Sequence, residues 1–169
     1  MPGDEELWNK LSQRDAQAFE SFYRANCPRL HRFVKACTGS SQAADDVAQE
    51  TFLQLWKRPN GFNPSRSTLK AYLFGIARKR AADWWRHRRP AGEPSPHPAA
   101  LVVEESSTLL LTDAMSRLDP DARGVLWLRE MEGYSYEELA EIFEIPLGTV
   151  KSRLYAAREQ LRRVWNFGK

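Results

Sequence analysis

The sequence predicts an all-α protein built as two small helical bundles joined by a flexible linker. Apolar residues recur at helical spacing along most of the 169-residue chain. No run of alternating β-branched residues is longer than Leu101-Val102-Val103. Between residues 90 and 107 that periodicity stops, and prolines stand at 90, 94, 96 and 98 with a glycine at 92, the composition of a linker. The expected units are therefore 1–89, a tether at 90–107, and 108–169. Fully extended, the tether reaches roughly 60 Å, enough to serve two sites nearly two duplex turns apart at about 34 Å per turn.

Taken in order, residues 15–26 and 28–37 carry Phe19, Phe22 and Tyr23, then Leu30, Phe33 and Val34, at helical spacing. Pro28 is placed to begin or kink the second piece. Thr38-Gly39-Ser40 is a break. Residues 41–56 form a helix with two distinct faces. Ala44, Val47, Ala48, Thr51, Phe52, Leu55 and Trp56 fill about half of the wheel, and Asp46, Gln49, Glu50 and Leu53 lie on the other at i, i+3, i+4 and i+7. An acidic and amide face with one exposed leucine suits protein docking as well as simple solvation.

Residues 61–67, GFNPSRS, are a loop by composition. Residues 68–89 read as one long helix with Leu69, Leu73, Ile76, Ala77 and Trp84 inward and Phe74, Arg78, Trp85, Arg86 and Arg89 turned away; Arg80 falls on the inner stripe. Aromatics interleaved with arginines offer stacking platforms beside phosphate clamps, as expected where opened nucleic acid is held; packing of Phe74 and Trp85 on neighbouring helices is the lesser alternative. Two further helices at 108–118 and 121–131 flank the Asp119-Pro120 break, with Pro120 at an N-terminal position.

Residues 134–161 read as a helix-turn-helix. Ser135 and Glu138 have capping-box spacing, Leu139, Ala140, Ile142 and Phe143 form the buried stripe, and Pro146 ends the first helix. Thr149 is the expected N-cap of the second. Val150, Leu154, Ala157 and Leu161 make its inner face, leaving Lys151, Ser152, Tyr155, Arg158 and Arg162 outside it. Short polar and basic residues near the N-terminus and arginines along the outer side suit a duplex major groove.

Charge is distributed in blocks. Residues 1–60 are neutral, 61–90 carry +7, 91–148 carry −9 and 149–169 carry +5, which points to two separate nucleic-acid contacts. Residues 1–10 are acidic without an apolar core, so no signal peptide is expected, and no apolar run approaches membrane-spanning length; a cytoplasmic protein is the expectation. Cys27 and Cys37 bracket His31, too few ligands for a metal site, so reduced cysteines, no metal and no cofactor are expected.

Three motifs in this order give the chain a resemblance to the bacterial sigma factors of the extracytoplasmic-function group. Asp46-Val-Ala-Gln49-Glu50-Thr-Phe52-Leu-Gln-Leu-Trp56 resembles the polymerase-docking helix, region 2.2. Tyr72-Leu-Phe-Gly-Ile-Ala-Arg78 through Asp83 to Arg86 is similar to the helix that helps melt the promoter. Pro146-Leu-Gly-Thr-Val-Lys-Ser-Arg-Leu-Tyr-Ala-Ala-Arg158 is similar to the region 4.2 recognition helix. The resemblance implies a bacterial, non-enzymatic promoter-specificity subunit, monomeric when free and controlled by an anti-sigma factor. Asp46, Gln49, Glu50 and Leu53 would dock on core RNA polymerase. Phe62, Asn63, Ser65, Arg66 and Ser67, with Arg78, Lys79, Trp85, Arg86 and Arg89, would hold the melted −10 element. Thr149, Lys151, Ser152, Arg153, Tyr155 and Arg158 would contact the duplex −35 element. The chain departs from the pattern at Tyr72, where the family commonly has Trp, at Arg80, where it commonly has Asn, and at Glu144, where many helix-turn-helices have Gly and a side chain costs on the order of 1 kcal/mol.

Two other readings compete. A stand-alone repressor or activator would use only the helix-turn-helix, with the first bundle as a sensor or dimerisation unit. A nuclease would use Asp45, Asp46 and Glu50 as metal ligands, although adjacent aspartates on a helix diverge by about 100°.

Overall fold

The computed structural model describes residues 3–58, 60–88 and 114–167. All regular structure among them is helical: α1 (Asp4–Ser12), α2 (Ala16–Thr38), α3 (Ser41–Lys57), α4 (Leu69–Arg88), α5 (Pro120–Glu130), α6 (Tyr136–Phe143) and α7 (Leu147–Phe167). The expected linker, and residues 108–113 of the helix expected at 108–118, lie outside the described residues; a turn of helix covers 114–116. None of these helices is long and apolar enough to cross a membrane.

Helix α1 is not among the expected elements. Three acidic residues occupy its first turn, where the helix dipole favours them, and Trp8 and Leu11 are buried. The Asp15 carboxylate caps α2 by accepting from the Gln17 and Ala18 amides. Pro28 does not begin a new helix, because α2 runs through it. Phe22, Asn26, Leu30, Phe33, Val34 and Cys37 stay buried on one face on both sides of it, and that tertiary burial outweighs the roughly 3 kcal/mol penalty of an interior proline. Gly39 ends α2 in the left-handed region, at φ 72°, and Ser40 caps α3.

Helix α4 is buried on two sides, which corrects the expectation that Phe74 turns outward. Leu69, Leu73 and Ala77 are buried as expected, and Phe74 is fully buried too, edge-on to Phe33 of α2 at 5.3 Å and to Tyr134 at 5.8 Å. A single-sided wheel fails here because α6 packs on the face that the first bundle leaves open. The two halves of the chain consequently share one continuous hydrophobic core.

Two residues on α5 make the close approach possible. A Cβ on Gly124 would lie 3.0 Å from the Phe143 ring and 3.2 Å from the Cys37 sulfur, so glycine lets α2 and α6 close around α5. Beside it Arg123 is almost fully buried and donates to the carbonyls of Leu118 (2.9 Å), Ser116 (2.8 Å) and Cys37 (3.4 Å). These charge-assisted bonds offset its desolvation, which still pulls its pKa down. Burial pushes the Cys37 thiol well up, the signature of an unreactive structural cysteine.

The capping box forms as the sequence predicts: Glu138 N donates to Ser135 Oγ (3.1 Å) and Ser135 N to Glu138 Oε2 (2.7 Å). Thr149, expected as the N-cap of the next helix, instead lies inside its first turn, with its amide bonded to the Pro146 carbonyl at 2.9 Å. Proline's fixed φ lets the helix start earlier, directly after Pro146.

Candidate nucleic-acid and partner-binding surfaces

On α3, Gln49 and Glu50 are exposed, Asp46 is half-buried and Leu53 is 44% exposed. The four share one outer strip because Val47, Ala48, Thr51, Phe52 and Leu55 occupy the buried side. The strip is tied to α4 through Arg80. Its Nη1 donates to Glu50 Oε2 (3.0 Å), and its Nε (3.1 Å) and Nη2 (2.7 Å) both donate to Gln54 Oε1. The carboxylates do not converge on a metal: Asp45 turns to His31 (2.8 Å) while Glu50 faces Arg80. No group of three potential metal ligands exists among the described residues.

The 62–67 loop and α4 form one wall of a groove of about 840 Å³, contributed by Asn63, Arg66, Ser67, Tyr72, Ile76, Lys79 and Arg80; Ala140, Ile142, Glu144 and Pro146 from the helix-turn-helix form the other. The loop is shaped by an Asx-type turn in which Asn63 Oδ1 accepts from Ser65 N at 2.9 Å, and Asn63, Ser65 and Arg66 are exposed with Ser67 half-buried. Phe62 departs from expectation. It is 7% exposed, packed at 5.2 Å on Trp8 and 5.5 Å on Tyr72, so its ring supports the loop from below.

Helix α1 holds both ends of this loop. Trp8 packs under Phe62, and the Asp4 carboxylate accepts from the Leu69 amide at 3.0 Å, adding to the Thr68 hydroxyl that accepts from Ala71 N. Two N-terminal donors of α4 are thereby satisfied, one from 65 residues away. The one sequence signal for this role is the Leu7, Trp8 and Leu11 spacing behind an acidic first turn.

Further along α4, Arg78 and Lys79 point at the helix-turn-helix. Glu144 accepts from Lys79 Nζ at 2.9 Å and lies 3.6 Å from Arg78, whose guanidinium also sits 5.6 Å from the Phe143 ring. Glu144 has φ 53° and ψ 45°, the left-handed conformation that ends α6, so the expected local strain is present. Its pKa is held below the ordinary glutamate value, first by the Lys79 hydrogen bond and opposed by partial burial. At the opposite end of α6, Glu132 lies 3.6 Å from Arg29 and 3.4 Å from Lys70. Carboxylates flanking α6 thus bracket α4. Trp85, expected as an open stacking platform, is half-buried with the Arg123 guanidinium 5.8 Å from its ring centre. Arg86 pairs with Asp83, and Arg89 lies outside the described residues.

On α7, Val150, Leu154 and Ala157 are buried as predicted. Lys151 and Ser152 are exposed, Tyr155 is 69% exposed and Thr149 is half-buried. Arg153 lies 3.8 Å from Asp121, and Arg158 pairs with Glu130 at 2.6 Å. A cationic and polar strip therefore faces solvent along the first three turns.

Both halves of the chain resemble known proteins. The sigma-70 region 2 family model matches residues 22–90, and the sigma-70 region 4 model matches residues 108–161. The extracytoplasmic-function (ECF) RNA polymerase sigma factor SigL of Mycobacterium tuberculosis is 30% identical over 157 residues, spanning 88% of this chain and 89% of its own. The ECF sigma factor RpoE of Cereibacter sphaeroides is 30% identical over 159 residues, 89% of this chain and 87% of its own. Among solved structures, RpoE from Bartonella quintana, in complex with the anti-sigma factor NepR, superposes with a TM-score of 0.71 at 26% identity, covering 89% of this chain and 98% of that one. The fold is shared with CnrH, solved with the cytosolic domain of CnrY, at a TM-score of 0.77 and 23% identity over 98% of this chain and 99% of that one.

Proposed function

The chain belongs to the extracytoplasmic-function group of the sigma-70 family, and on that premise we propose how its three surfaces divide the work of directing RNA polymerase to promoters. The α3 strip of Asp46, Gln49, Glu50 and Leu53 docks on core polymerase. The groove walled by Asn63, Arg66, Ser67 and Lys79, together with Ser65, Arg78 and Arg86, takes the opened −10 strand. The outer strip of α7, with Lys151, Ser152, Arg153, Tyr155 and Arg158, sits in the duplex major groove of the −35 element, reading base edges and gripping phosphate.

The contribution is binding energy. Each base drawn out of the stack costs a few kcal/mol, which contacts formed only with the open strand must offset. The protein carries out no covalent chemistry in this reading and works in the cytoplasm as a monomer until polymerase or an anti-sigma factor binds it. A solved relative bound to its anti-sigma factor supports the latter partner.

The observation that carries the reading is the order of features on one chain: an exposed acidic and amide strip, a polar loop leading into a helix that lines a groove with Lys79 and Arg80, and a recognition helix, falling within region 2 and region 4 matches. A stand-alone regulator accounts only for the last. Capture of core polymerase by the full-length chain tests this directly. Asp46→Ala with Gln49→Ala should lower retention at least tenfold without altering binding to −35 duplex; undiminished retention would remove α3 as the docking surface.

A further inference from the structure

Arg80 occupies a position between two surfaces that the functional reading treats separately. It lines the large groove beside Arg66 and Lys79, and it also lines a smaller recess of about 160 Å³ with Asp46, Val47, Glu50, Asp83, Trp84 and His87. Two of its donors go to a neutral acceptor, Gln54 Oε1, which fixes the plane of the guanidinium without cancelling its charge. Its third bond, from Nη1, goes to Glu50, a carboxylate on the proposed polymerase-docking strip. Both side chains of that ion pair are partly exposed, so the pair is weak and exchangeable. A partner that recruits the Glu50 carboxylate competes with Arg80 for it, while Gln54 keeps the guanidinium aimed.

We propose that Arg80 is a promoter-backbone contact withheld in the free chain by Glu50 and released when polymerase docks. Resting on the docking role given to Glu50 above, this couples the two surfaces: binding core uncovers one more cation in the groove, where a phosphate of the promoter strand accepts the bond that Glu50 gives up. Arginine fits the role because its fork can keep two bonds to Gln54 while a third nitrogen meets the phosphate.

The test is the salt dependence of promoter binding by holoenzyme assembled from the full chain and core polymerase. Neutralising one phosphate contact lowers the slope of log K against log salt by about 0.7–0.9. Arg80→Gln should lower the slope by that amount and Arg80→Lys should retain it. Arg24→Gln, a surface cation paired with Glu20 on α2, should leave it unchanged. For the chain without core on non-specific DNA, Arg80→Gln should have no effect on the slope. Glu50→Gln should there raise it by a similar amount, and the added Arg80→Gln should cancel the rise. An affinity loss equal at every salt concentration, with the holoenzyme slope unaltered, would reduce Arg80 to a structural tie between α3 and α4. Retention of the slope in Arg80→Gln but not in Arg80→Lys would likewise overturn the proposal. If wild-type holoenzyme binds no promoter at all, the functional reading fails and this inference with it.

Discussion

Helices α4 and α7 both present arginines and lysines, yet they meet the rest of the molecule in different ways. On α4, Arg78 and Lys79 are held by Glu144 from the other half of the chain and Arg80 by α3, while Phe74 and Trp85 are occupied with packing. On α7, the paired cations Arg153 and Arg158 find their acids on α5 within the same half, and Lys151 and Tyr155 face solvent. The proposed duplex-reading strip is therefore presented in this arrangement, and the proposed strand-holding groove has one wall made by the helix-turn-helix itself. A strand in the groove would lie against the helix-turn-helix, whereas duplex on α7 meets only the second half of the chain.

Charge reversal at the shared contact breaks that asymmetry most strongly. Glu144→Lys turns two attractions into repulsions. Exposed pairs contribute about 0–1 kcal/mol each, so the closed arrangement should lose on the order of 1–2 kcal/mol, a shift of about tenfold toward separated halves. Energy transfer between dyes on α3 and α7 should report a longer distance, and an unchanged distance would assign the closure to the Phe74 and Tyr134 seam alone. Protonation gives a smaller version of the same perturbation. Because the folded-state pKa of Glu144 is depressed, its contribution is fully present above the unfolded value of about 4.3. It is lost as pH falls through the lower folded value. No loosening from this group is expected between pH 7 and pH 5, and salt should mute the change below pH 4 because the side chain is 62% exposed.

The smallest effect sharpens the other side of the comparison. Lys151→Ala should lower the affinity for −35 duplex uniformly across sequences and reduce the salt slope by about one if Lys151 contacts phosphate. A loss of sequence preference with the slope intact would place it on a base edge. In either case the interdomain distance should not move.

Elements and caps were legible in the sequence wherever local rules decided them. The capping box at Ser135, the left-handed break at Gly39 and the inner stripe of α7 follow from spacing and backbone preference. The errors come from contacts between distant segments. Phe74 lies on the outer side of α4's wheel and is buried between Phe33 of α2 and Tyr134 of the second half of the chain. Phe62 lies in a polar loop and is buried because Trp8, 54 positions earlier, needs a partner. Pro28 should disrupt a helix in isolation, and the helix persists because one apolar face continues past it. Glu144 was recognisable as a conformational oddity, but its partners Arg78 and Lys79, more than 60 positions away, were not readable from periodicity. In the candidate site, the residues facing solvent on α3 and α7 were identifiable from amphipathic pattern, whereas the tie from Arg80 to Glu50 and Gln54 exists only once α3 and α4 are side by side.

Promoter opening tests the central claim most directly. Permanganate reactivity of thymines across a −10 element should be recorded with core polymerase alone, with this chain alone, and with both. The account predicts reactivity only with both, lost when Asp46 and Gln49 are replaced by alanine. Tight binding of the chain alone to a palindromic duplex, with no thymine made reactive when core is added, would contradict it.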